Sequence, residues 1–86
     1  MILEILNEKG LHARASAKFV DVCENFDATA TVTKDGETAN GKSILGLMML
    51  AASKGSKIKV DIEGPEAEAL ENALFQLVEN MFGEGS

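Results

Sequence analysis

The sequence predicts an α+β fold in which three helices lie on one face of an antiparallel four-stranded sheet, in the order βαββαβα. Three observations predict it. Two segments alternate apolar and polar residues with the period of half-buried strands. Two others repeat apolar residues with the period of a helix, and a third is a short apolar block rich in leucine and methionine. An Asp-Gly pair links two of the strands as a hairpin. Each alternating strand has one apolar face, and helices gathered on that side would cover it. With 86 residues, the chain is read as one domain spanning 1–86.

The elements follow in order. "MILEIL" is short and apolar and reads as a first strand that ends in "NEKG". From Ala13 the period lengthens, and Ser16, Phe19, Val20, Cys23 and Phe26 share one helical face. Ala28, Ala30 and Val32 then alternate with Thr29, Thr31 and Thr33 as a strand. After the "KDGE" turn, Glu37–Asn40 returns as a short polar strand expected near an edge. Ile44–Ala52 reads as a helix of two or three turns closed by Gly55. Ile58, Val60 and Ile62 mark a further strand. Pro65 opens a last helix, with Leu70, Ala73, Leu74, Leu77, Val78 and Met81 inward and Gly83 at its end. The final "GEGS" is expected to fray.

Composition excludes several functions. The net charge is −6 and no basic stripe exists, which argues against nucleic acid and against anionic membrane surfaces. No apolar run approaches the ~20 residues of a membrane span, and no basic segment precedes an apolar one as in a signal peptide. The single cysteine, Cys23, has no internal disulfide partner, which suits a cytoplasmic protein. One histidine and one cysteine make a poor zinc set, so no metal or other cofactor is expected.

The chemistry concentrates in "GLHARAS". His12, the only histidine, precedes the first helical residue. The first amides of a helix lack internal partners, and with the helix dipole they attract anions. Arg14 adds a forked donor for phosphate oxygens. A free imidazole titrates near ~6.5 and is largely neutral and nucleophilic at neutral pH. A nucleophile beside such donors suits a phosphoryl group in transit. The same placement also suits an ordinary cap or surface histidine. No catalytic carboxylate cluster or nucleotide motif accompanies it, so a carrier is favoured over a self-contained enzyme.

"GLHARAS", the "FDA" after the first helix, the Asp-Gly hairpin and "GKSILGLMML" together resemble the HPr phosphocarriers of the bacterial phosphotransferase system over nearly the whole chain. The resemblance implies an open-faced β-sandwich. It implies that His12 takes phosphate on Nδ1 from the phosphoenolpyruvate-dependent Enzyme I and passes it to an EIIA protein or domain, with Arg14 stabilising it. It leaves two branches open, sugar uptake and a nitrogen-related regulatory relay. Many members carry proline where this chain has Ala15. The chain is expected to act as a monomer.

Two further features are expected to matter. Ser43 begins the second helix, either as an N-cap or, by the resemblance, also as a phosphorylation site for an HPr kinase. On that second reading the chain is a regulatory binding module. In the apolar block after it, Ile44, Leu47 and either Leu50 or Ala51 fit an inward stripe. Leu45, Met48 and Met49 are then candidates for a docking patch, or the methionines fill the core. Cys23 is read as a small core residue.

Overall fold

The computed structural model describes all residues, Met1–Ser86. The elements are β1 (Ile2–Glu4), α1 (Ala13–Glu24), β2 (Thr29–Lys34), β3 (Glu37–Asn40), α2 (Ile44–Met49), β4 (Lys57–Glu63) and α3 (Ala67–Glu79), followed by a 3₁₀ turn at Met81–Gly83. The four strands form one antiparallel sheet in the order β1-β4-β2-β3. The hairpin register pairs Val32 with Ala39, and β4 fills the centre by pairing Val60 with Val32 and Ile58 with Leu3. The short polar strand β3 lies at an edge, as expected.

The alternation of the strands sorts the two faces. Leu3, Ala30, Val32, Ala39, Ile58 and Val60 are buried beneath the helices. Ile2, Glu4, Thr29, Thr31, Lys57, Lys59 and Asp61 are exposed on the open face. From α1, Ala15, Ser16, Phe19, Val20 and Cys23 enter the core, and from α3, Leu70, Leu74 and Val78. The Asp35-Gly36 turn has φ of 51° and 82°, the mirror-image turn whose twist matches paired strands.

Three boundaries and one inward stripe differ from the sequence reading. The second helix is shorter, six residues, because Ala51 adopts φ 53° and stops it, so Gly55 only shapes the following turn. Its inward residues are Leu47 and Leu50, while Ile44 is exposed and so is Ala51. Phe26 lies beyond α1 and is half-buried. The last helix starts after Glu66 rather than at Pro65, because the Glu66 carboxylate turns back to accept the Asp27 amide at 2.7 Å.

The C-terminus departs most. α3 ends at Glu79 and the chain then turns sharply, with Met81 and Phe82 both in the left-handed region (φ 52° and 55°). Such φ values strain ordinary residues and need surrounding contacts to hold them. The contacts are present. Phe82 is 1% exposed within the core, and the Lys18 amine donates to its carbonyl at 2.6 Å. Instead of fraying, the tail is folded back onto α1. Phe82→Ala should therefore destabilise the protein by ~3–5 kcal/mol, the usual range for emptying a buried aromatic site, as measured by urea unfolding.

Candidate functional site

His12 is the N-cap of α1, with extended backbone (φ −73°, ψ −177°). Its carbonyl accepts the Ser16 amide at 2.9 Å, so the amides of Ala13, Arg14 and Ala15 precede the first helical bond and have no partner within the protein. Its side chain is 26% exposed, enough to be reached from solvent. Nδ1 makes no hydrogen bond, whereas Nε2 meets the Glu84 carboxylate.

Backbone contacts fix this helix entrance. Gly10 has φ +65°, and a Cβ built there would lie 2.2 Å from the Ala52 carbonyl oxygen, so only glycine fits. The next residue, Leu11, donates its amide to that same oxygen at 2.9 Å. The segment leaving α2 is thereby bonded to the residue before His12. Inside the first turn, the Ser16 hydroxyl donates to the Leu11 carbonyl at 3.1 Å.

Asn7 closes the loop from within. It is fully buried, and its Nδ2 donates both to the Gly10 carbonyl and to Glu84 Oε1, each at 2.9 Å. Its Oδ1 has no partner. Glu84 thus binds Asn7 through one oxygen and His12 through the other. Burial works against ionisation of this carboxyl. The hydrogen bonds from Asn7 and His12 and the positive charge of Arg14, joined by that of His12 when its ring is protonated, outweigh it and hold Glu84 below its ordinary value.

Arg14 is exposed and forms no ion pair. With Glu8, Lys9, Gly83, Glu84 and Ser86 it lines a polar cleft of about 260 Å³. The structure therefore brings His12, Arg14 and free helix amides into one region, as the sequence suggested. It adds Asn7 and Glu84, which the sequence reading did not select. Glu84 is far from His12 along the chain and belongs to a stretch that looks like a flexible end.

Ser43 is the N-cap of α2, and its hydroxyl accepts the Gly46 amide at 3.0 Å. Leu45 and Met49 are 67% and 71% exposed, and Ile44 and Met48 are also exposed, so the methionines do not fill the core. Cys23 is buried and its thiol is pushed up to about 11, mainly by burial, with Lys42 opposing and Glu24 adding to the effect. No helix is long and apolar enough to cross a membrane.

The comparisons with known proteins fit this geometry. The family model described as "PTS HPr component phosphorylation site" matches residues 2–80. The chain belongs to the HPr family. It is 51% identical to the phosphocarrier protein HPr of Neisseria meningitidis serogroup A over 84 residues, covering 96% of this chain and 93% of that protein. The HPr of Pseudomonas aeruginosa is 43% identical over 96% of this chain and 93% of its own length. The crystal structure of HPr from Thermoanaerobacter tengcongensis superposes with a TM-score of 0.92 at 42% identity, covering 98% of this chain and 94% of that one. The open-faced fold is thus the HPr fold, and the role is that of a phosphocarrier. Where many HPr proteins have proline, Ala15 is fully buried and α1 nevertheless starts at Ala13.

The tail contact has a definite pH dependence. A carboxyl held below its usual value contributes stability above that value, 4.5, and loses it as pH falls through the lower folded value. Glu84→Ala should lower the melting temperature at about pH 7, and the difference from the wild type should shrink as pH falls below the ordinary carboxylate value.

Proposed function

We propose that His12 accepts a phosphoryl group on Nδ1 from Enzyme I of the phosphotransferase system and passes it to an EIIA protein or domain, the chain acting as a cytoplasmic monomer. The observation that carries this reading is the unpaired Nδ1 of a half-buried histidine, seated at a helix N-terminus whose first three amides are free. Those amides and the Arg14 guanidinium would receive the phosphate oxygens, neutralising charge that a lone imidazole could not. The chemistry needs no metal or nucleotide on this chain. The donor protein supplies the activated phosphate and the acceptor removes it.

The docking surface proposed is the apolar face of α2 formed by Leu45, Met48 and Met49, with Ile44 beside it. The bond from Leu11 to Ala52 ties the segment leaving α2 to the His12 loop, which supports reading the two as parts of one docking face. Ser43 caps the same helix, and a phosphate on it would set negative charge beside the patch. That is the basis for proposing Ser43 as a regulatory site.

Incubation with Enzyme I and phosphoenolpyruvate should give one acid-labile phosphate on the protein, and His12→Ala should give none. Label retained by His12→Ala would refute the assignment. On the docking face, Met48→Asp and Ser43→Asp should each slow transfer from Enzyme I at least about tenfold while leaving the melting temperature nearly unchanged, because Met48 is exposed and aspartate caps a helix as well as serine. A fall in melting temperature with normal transfer would place both residues in folding rather than in docking.

A further inference from the structure

The two oxygens of Glu84 are committed in opposite directions, and that arrangement determines the protonation of His12. Glu84 is ionised at neutral pH and can only accept hydrogen bonds. The ring nitrogen facing it, Nε2, must therefore carry the proton. A neutral imidazole has one N–H, so Nδ1 is left with its lone pair free. The contact is built into the fold. The strained Met81-Phe82 turn, the buried Phe82 ring and the Lys18 bond to its carbonyl deliver Glu84 to this place, and the Asn7 amide holds its other oxygen.

We propose that Glu84 is a positioning residue for phosphoryl transfer: by accepting the Nε2 proton of His12 it keeps Nδ1 as the nucleophile and offsets the positive charge that develops on the ring. The proposal rests on the reading of His12 as the phosphoryl acceptor. In the step, the Nδ1 lone pair forms the N–P bond while the bond from phosphorus to the donor atom of phosphorylated Enzyme I breaks, its electron pair remaining on the donor. The Nε2 proton stays on the ring throughout. The ring becomes positively charged beside the Glu84 carboxylate, the arrangement by which a carboxylate holds an imidazole tautomer and stabilises its cation in hydrolytic triads.

Asn7 makes the test sharp. Its Nδ2 donates to Gly10 and to Glu84, so the group at Glu84 Oε1 must be an acceptor. In Glu84→Gln the amide oxygen would face Asn7 and the NH2 would face His12. A donor there requires an unprotonated Nε2 and moves the proton to Nδ1, the atom that must attack. The conservative substitution should therefore be the more harmful one. Comparable amide-for-carboxylate changes cost up to ~10⁴ in rate through the wrong tautomer. For this chain we expect transfer from Enzyme I to fall ~100-fold in Glu84→Gln and only a few-fold in Glu84→Ala, where the tautomers equilibrate freely.

The measurements are the 15N resonances of the His12 ring in the unphosphorylated protein at about pH 8, where an ordinary imidazole is neutral, and single-turnover transfer from phosphorylated Enzyme I. The wild type should show the Nε2–H tautomer, Glu84→Gln the Nδ1–H tautomer, and Glu84→Ala a mixture. Melting temperatures establish that both variants are folded. An unchanged tautomer in Glu84→Gln, or transfer no slower than in Glu84→Ala, would overturn the proposal. A wild-type protein that takes no phosphate would instead refute the carrier reading, and the ring resonances would still decide whether Glu84 sets the tautomer.

Discussion

The buried amide of Asn7 is the constraint on which the site depends. One nitrogen donates to the carbonyl of Gly10 and to the carboxylate of Glu84, so the loop before His12 and the tail after α3 are fixed by the same group. Removing such a donor from a fully buried position leaves two acceptors without a partner, which is costlier than the bonds themselves are favourable. Around it, Gly10 brings the backbone against Ala52, and Ser16 bonds the Leu11 carbonyl. The imidazole is thus oriented by backbone and side-chain contacts on either side of it, while its Nδ1 stays open.

This rigidity serves a carrier. A phosphoryl group in transit must be held well enough to survive and loosely enough to leave. On the proposed reading, free amides and an exposed arginine would supply the hold without enclosing the ring. The histidine remains partly exposed, as a residue that hands its group from one protein to another would have to be. The small fold suits that task. Its three helices cover one sheet face, and the segment that leaves α2 is bonded through Ala52 to the entrance of α1. The relatives named phosphocarrier protein HPr share this chain over nearly its whole length.

Much of the fold was legible because local rules and tertiary demands agree. Ala30, Val32, Ile58 and Val60 alternate with polar residues and are buried as that alternation requires. Asp35-Gly36 forms the turn its residues favour, and Ser43 caps the helix it precedes. Reading failed at three places, and at the last of them a long-range contact overrode a local signal. Ala51 rather than a glycine ends α2 with positive φ. Ile44 is exposed although it begins an apolar run, because a helix of six residues turns few side chains inward. Glycine and polar residues made the tail look mobile, yet Phe82 anchors it.

By itself the sequence determined the order of the elements, the covered face of the sheet and the presence of His12 and Arg14 at a helix entrance. Those properties follow from periods and capping preferences that act within a few residues. Only the tertiary structure decided which ring nitrogen of His12 is free. That depends on a carboxylate 72 residues away, delivered by a strained turn and a buried phenylalanine, and no local pattern encodes a contact closed across the whole length of the chain.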